Sequence, residues 1–289
     1  MKKIKVILAG GLGNQIFQYS AGRRFAEKLN KELTINTARA ANSHSSFNIS
    51  SFSLNAKVKN AQMAFLIGRL LPITNHLWDK WLHLNRHHLI DRNYVGNCAH
   101  LEVSEVKSIS GFFQDMKYLS RSDLADFKLT NPSADYNSYR SFFEDHFIIG
   151  VHVRRGDFVG QSESHGCLSA EWYLTQIVRS LEVNRPDSMI VIFTDDRNWV
   201  FDKICSALSK DLSVNVISKD DLEDPAESWD LLRSADYLIC SNSTFSITAA
   251  FYSNCQIVLP MPLTRKVNFE DIETSLPGTW LRATAIWEL

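Results

Sequence analysis

A chain of 289 residues with 45% hydrophobic and 22% charged side chains has the make-up of a folded globular protein and length enough for two domains of ordinary size. Its formal net charge of -1 supplies no global basic field for nucleic acid or anionic lipid, so any anion site has to be local. No uninterrupted apolar run reaches the ~20 residues that cross a bilayer, and five cysteines, odd in number and without a Cys-x-x-Cys pair, read as reduced thiols of a cytoplasmic protein.

Residues 3–9 read as a first buried strand; the apolar run after Lys2 and Lys3 is too short for a signal peptide and ends at Gly10. Gly10, Gly11 and Gly13 supply a turn, and from Asn14 onward Ile16, Phe17, Ala21, Phe25 and Leu29 follow helical spacing, with Arg23 and Arg24 toward the other face. Strand, glycine turn and helix open a Rossmann-like unit, although the third glycine of the dinucleotide fingerprint and a P-loop lysine are both missing. The turn fits a loop whose Gly11, Gly13, Asn14 and Gln15 line a cleft, and it fits an ordinary tight turn equally well.

A short strand over residues 33–36 leads into an irregular polar stretch, 39–55, suited to a loop near a substrate. Two helices are expected at 61–71 and 77–84, separated by Pro72. His83, His87 and His88 have ligand-like spacing but no acidic or thiol companion, which favours a solvated helix end over a metal site. Residues 111–115 read as a short strand and turn, and residues 131–135 as a linker, which sets an expected boundary between a domain of residues 1–140 and one of 141–289.

The second half is more regular. An apolar run from Phe147 ends in His152-Val153-Arg154-Arg155-Gly156-Asp157, putting charge at a strand's carboxyl end, where open parallel sheets bind ligands. Ser169 can cap a helix carrying Trp172, Tyr173, Ile177 and Leu181. Residues 189–194 form an apolar strand ending in Asp195 and Asp196; further strands are expected at 214–217, 237–240 and 257–259, with helices at 199–208, 227–234 and 247–252 between them. Alternation of this kind gives an α/β fold with parallel sheets, read as two Rossmann-like domains facing a cleft.

Several strand tips carry chemistry. The guanidinium forks of Arg154 and Arg155 match phosphate oxygens, with His152 as a further donor; the alternative is a surface turn in which Asp157 neutralises an arginine. Ser241-Asn242-Ser243-Thr244-Phe245-Ser246 enters a helix with more hydroxyls than capping requires, and the first N–H groups of a helix form an anion site. No Asp-x-Asp occurs anywhere in the chain, which points to a diphosphate held without metal. Asp195 and Asp196, pointing apart as neighbours on a strand end, are expected to divide between a nucleoside contact and a helix cap.

Residues 10–19, His152-Val153-Arg154-Arg155-Gly156-Asp157 and the serine-rich stretch 241–246 together resemble, in order, the bacterial α-1,2-fucosyltransferases of glycosyltransferase family 11. The resemblance implies a GT-B fold, GDP-β-L-fucose as donor, inversion to an α-fucoside, no metal or other cofactor, and a galactose-terminated oligosaccharide or lipid-linked glycan as acceptor. On that basis Arg154 holds the β-phosphate, His152 and Arg155 support it or its loop, and Ser243, Thr244 and Phe245 give backbone donors to the diphosphate. Asp195 and Asp230 contact the nucleoside, while Asn14 and Gln15 line the cleft from the first domain, near the sugar or the acceptor. Asp157 is a candidate base, although a carboxylate held by arginines is a weak one, and orienting them is the stronger role for it; Glu163 and His165 are further candidates. Transfer of another linkage, another nucleotide sugar, or a non-catalytic binding protein on the same sheets are the competing readings. The expected station is the cytoplasm or the inner face of the plasma membrane, in O-antigen or other surface polysaccharide assembly, with no nucleic acid partner.

Overall fold

The computed structural model describes residues 2–37, 48–59, 88–90, 106–185, 187–266 and 270–288, and the chain divides into two compact units, Met1–Lys128 and Leu129–Leu289.

The first unit is a sheet of order β3-β2-β1-β5-β4 built from β1 (Lys3–Ile7), β2 (Glu32–Asn36), β3 (Lys57–Lys59), β4 (His88–Ile90) and β5 (Ser108–Ser110). Every pairing is parallel, and Ile4 and Val6 of the central β1 are fully buried. Helix α1 (Leu12–Leu29) packs so closely on this sheet that a Cβ at Gly22 would stand 2.9 Å from Leu33 Cδ1. It ends at Asn30 in the left-handed region, a conformation asparagine tolerates better than most residues.

Arg23 and Arg24 do not merely face solvent: they pair with Asp126 and the buried Asp123 of the 3-10 turn at Arg121–Phe127, and Tyr19 donates to Asp126 at 2.7 Å. The strand expected at 111–115 lies just earlier, at β5, because Gly111 (φ 123) and Phe113 (φ 52) turn the chain there. Strands β3 and β4 were too short, at three residues each, to leave a periodic signal. The helices expected at 61–71 and 77–84, with His83 and His87, lie outside the described residues, as does most of the loop 39–55; His88 opens β4.

The second unit runs α2 (Ala134–Asp145), β6 (Ile148–Val153), α3 (Gly156–Val159), α4 (Ala170–Val183), β7 (Met189–Thr194), α5 (Arg197–Lys203), β8 (Val214–Ile217), α6 (Pro225–Arg233), β9 (Tyr237–Ile239), α7 (Thr244–Tyr252), β10 (Gln256–Met261), α8 (Glu270–Ser275) and β11 (Leu281–Thr284). Its sheet, of order β11-β10-β9-β6-β7-β8, is parallel throughout. The chain moves outward from β6 through β7 to β8 on one side and later fills β9, β10 and β11 on the other, so the strand order reverses at the β6/β9 boundary. That boundary is where a doubly wound sheet opens a crevice for ligands.

Side-chain caps set where most of its helices begin: Ser133, Ser169, Asp196, Asp224 and Ser243 each accept from a backbone N–H of the helix that follows. The division between units falls after Lys128, and α2, which straddles residue 140, belongs wholly to the second unit. Its hold there is polar and buried: Glu227 accepts from the N–H and Oγ of Ser133 at 2.5 and 2.9 Å, and Tyr136 donates to Asp230 at 2.5 Å. Ser133, placed in a linker by composition, is thus the cap of a packed helix.

Candidate active site

Strand β6 ends at Val153, and the next residues turn sharply because Arg155, the cap of α3, takes φ -132 and ψ -65. The Arg155 N–H donates to Asp195 Oδ1 at 2.8 Å, fastening this turn to the tip of β7. Arg154 Nη1 pairs with the other oxygen of Asp195 at 2.6 Å, and its Nη2 with Asp157 Oδ1 at 2.5 Å. Its guanidinium also lies 5.5 Å from the Phe158 ring centroid. Two carboxylates and an aromatic face therefore aim one permanent cation outward, and 33% of the Arg154 side chain stays exposed. Gly156 makes room for this arrangement: a Cβ there would stand 2.5 Å from Asp195 Oδ2.

Arg155 turns the other way. Only 9% of its side chain is exposed; Nε donates to Asp196 at 3.1 Å, Nη1 pairs with Glu288 at 2.7 Å, and the guanidinium lies over Trp199 at 4.1 Å. Of the adjacent arginines, Arg154 is available to a ligand and Arg155 is an internal brace for the turn.

His152 is buried, with Nδ1 2.8 Å from Ser241 Oγ and its ring stacked on Phe245 at 5.0 Å. Burial, and then the charge of Arg154, push its pKa down to about 3. It is neutral at ordinary pH, so it joins the tips of β6 and β9 but adds no cationic donor to the site.

At the tip of β9, Ser243 caps α7 by accepting from Phe245 N–H at 3.3 Å. Ser246 Oγ donates to the carbonyls of Ser241 and Ser243 at 3.1 and 3.2 Å, and Ser241 holds His152. The hydroxyls that looked surplus to capping are thus engaged in shaping the loop, and the half-buried Ser243, Thr244 and Phe245 present the first turn of α7. Asn242 donates through Nδ2 to Gly166 and His165 carbonyls at 3.0 and 3.2 Å, tying down the stretch that follows α3.

Of the paired aspartates, Asp196 caps α5 by accepting from Trp199 N–H at 3.1 Å, which is the cap half of the expected division. Asp195 has both oxygens on the arginine turn, a role that its expected nucleoside contact did not reveal. Asp230 is buried between Tyr136 and Arg233 on the α2/α6 contact, with each bond at 2.5 Å. Glu163 is 91% exposed; His165 Nδ1 sits 3.1 Å from Ser164 Oγ, with its ring 5.2 Å from Phe158.

The tip of β1, in the first unit, differs from the cleft-lining expectation. Gln15 is fully buried, donating to Gly10 carbonyl at 2.8 Å and accepting from Ile49 N–H at 3.1 Å, and Gly13 is buried in α1. Gln18 bonds the Ala9 N–H and carbonyl in the same way, at 2.8 and 3.1 Å. These amides fix the backbone of the turn instead of facing a ligand. Gly11 is exposed and Asn14 half-buried, the latter accepting from Gln114 Nε2 at 2.8 Å. Gly10 sits at φ +76, a conformation glycine adopts without strain.

Residues that the sequence did not single out are Trp199, Asn242 and Glu288 as members of the site's frame. Asn242 lay inside a motif already singled out; Glu288 sits in no motif, and nothing in its neighbourhood signals its role.

Comparison with known proteins places the chain in context. It is 25% identical over 286 residues to an alpha-1,2-colitosyltransferase of Escherichia coli, covering 95% of this chain and 97% of the relative. It is 24% identical over 269 residues to the O-antigen biosynthesis glycosyltransferase WbnK of Escherichia coli, covering 83% and 86%. Among solved structures, the fucosyltransferase NodZ from Bradyrhizobium superposes with a TM-score of 0.56 at 15% identity, covering 87% of this chain and 93% of that one. A variant of Arabidopsis thaliana FUT1 in complex with GDP gives 0.51 at 13% identity, covering 94% and 77%. The likeness in both cases is one of fold. The family described as Glycosyl transferase family 11 matches residues 1–275, and the chain belongs to it.

Proposed function

We propose that this glycosyltransferase moves L-fucose from GDP-β-L-fucose, with inversion and without a metal ion, to the 2-hydroxyl of a terminal galactose during assembly of O-antigen or another surface polysaccharide. The observation that carries the reading is Arg154, one-third exposed at the tip of the central strand β6, beside the β9 tip where α7 begins, in a chain of family 11. Charge builds on the departing diphosphate as the sugar–oxygen bond breaks, and a fixed guanidinium with helix-end N–H groups stabilises it without reorganising. Asp195 and Asp157 keep Arg154 aimed; Asp157, paired with it, serves orientation before proton removal. On this reading the second unit, which carries Arg154 and α7, binds the nucleotide sugar, and the first unit binds the acceptor. A NodZ α-1,6-fucosyltransferase structure of similar fold was obtained with GDP-fucose, which supports a guanine nucleotide sugar as donor. Among the described residues no group of three or more His, Cys, Asp or Glu could hold a metal ion, and no helix is long and apolar enough to span a membrane. The enzyme works in the cytoplasm or at the inner face of the plasma membrane, where lipid-linked acceptors lie.

A second reading is favoured by the relative that spans 95% of the chain and transfers colitose, which is L-fucose lacking its 3-hydroxyl. The test is incubation of the purified chain with GDP-fucose and a panel of galactosides, with and without EDTA, reading released GDP and product linkage by NMR. An α-fucoside at the galactose 2-hydroxyl, unaffected by EDTA, is expected. Loss of activity in EDTA would overturn metal independence, and a different linkage would overturn the acceptor position. Transfer from a colitosyl donor alone would select the second reading, and saturable binding with no GDP release would leave a binding protein.

A further inference from the structure

Glu288 lies beyond the residues that match the family and outside every motif read from the sequence, yet it supports the buried one of the two adjacent arginines. We infer that Glu288 is a positioning residue for the phosphate clamp: acting through Arg155, it fixes the turn from which Arg154 and Asp157 project. This rests on the reading of that turn as the diphosphate site.

A guanidinium buried as deeply as that of Arg155 needs opposite charge close by, and removing one partner leaves it under-compensated. Its partners are Asp196 at 3.1 Å, Glu288 at 2.7 Å and the Trp199 face. Glu288 is itself held in register. Its N–H donates to Cys167 carbonyl at 2.8 Å, Ile286 carbonyl accepts from Ser169 N–H at 2.8 Å, and Leu168 pairs antiparallel with Trp287. Trp287 lies so close over Gly166 that a Cβ there would meet its ring at 2.6 Å. Asn242 in turn holds the Gly166 carbonyl, so residues 286–288 link the stretch before α4, the β9 tip and the arginine turn. A displacement of Arg155 passes to Arg154 by the shared backbone and by Asp195, which bonds the N–H of one and the guanidinium of the other.

The test compares the full chain with Glu288→Gln, which keeps shape and removes charge, and Glu288→Asp, which keeps charge. In the free protein, exchange of the Arg155 and Val159 amides is expected to quicken at least tenfold in Glu288→Gln. GDP affinity is expected to fall roughly fivefold to tenfold while guanosine affinity stays within twofold, because only the phosphate-dependent part of binding passes through the clamp. Glu288→Asp should recover most of the GDP affinity. Unchanged exchange, unchanged GDP affinity, or an equal loss for guanosine overturns the inference. If the parent chain binds no GDP, the donor reading falls, and the positioning role is decided by the exchange measurement alone. If Glu288→Gln does not fold, Glu288→Asp carries the same comparison, with parental exchange and parental affinity in that variant both required.

Discussion

The tips of β1 and β6 occupy equivalent places, each the end of a strand with parallel neighbours on both sides, and they use polar side chains in opposite ways. At β1, Gln15 and Gln18 turn inward and bond the carbonyls and N–H groups of their own turn and its surroundings. At β6, Asp195 and Asp157 turn toward an arginine and hold it outward. A neutral amide satisfies buried backbone and fixes a shape; a carboxylate paired with a partly exposed guanidinium fixes the direction of a charge. The difference separates a junction whose buried amides are engaged with its own backbone from one that leaves a braced cation one-third exposed.

The sharpest way to test that contrast is Arg154→Ala, expected to lower turnover about 10²- to 10³-fold while the thermal midpoint hardly moves. Steady-state kinetics with the nucleotide sugar, beside a melting curve, checks both halves. Gly156→Ala should come next. Its new Cβ would collide with Asp195 Oδ2, displace the clamp and reduce kcat roughly tenfold to a hundredfold, since small misplacements of a catalytic group cost that much. Full activity in this variant would show that the Asp195 brace is dispensable.

At the other tip, Gln15→Ala should cost about 1–3 kcal/mol in urea unfolding, because it strands buried backbone groups, and leave turnover per folded molecule within twofold. A kinetic defect without instability would return Gln15 to the ligand side.

The last effect is one of pH and concerns His152. Its pKa is about 3 in the folded chain, against 6.5 for the free side chain. Between these values the unfolded chain takes up a proton that the folded one refuses. Stability therefore falls as pH drops from about 6.5 toward 3, by up to ~1.4 kcal/mol per pH unit from this group. The difference in urea midpoint between pH 7 and pH 5 should shrink in His152→Asn; an unchanged difference would mean that the ring charges in place.

Strands β7 and β8 were legible to the residue because Met189–Thr194 and Val214–Ile217 are short runs rich in β-branched residues, which favour strands, and the Ser169 cap followed from residue type alone. Strands β3 and β11 were not, since Lys57–Lys59 is exposed throughout and Leu281–Thr284 nearly so, which leaves no apolar face to read; β4, at three residues, is too short to show one. Arg154 could be found as a charge at a strand end. That Arg155 would face inward could not, because its partners Asp196 and Glu288 are brought to it only by the fold. Gln15 misled for a related reason: a polar residue beside a glycine turn suggests a ligand whether its amide points out or back to the turn.

The antiparallel contact between Leu168 and Trp287 joins parts of the second unit that are far apart in the chain. During synthesis the arginine turn leaves the ribosome long before residues 286–288 exist, so Arg155 must wait for one of its two carboxylates until nearly the whole unit has been made. Contacts of such sequence separation form late in folding. A nascent chain halted within α8 would carry β6 and its motif complete in sequence, with the brace behind Arg155 still unfinished.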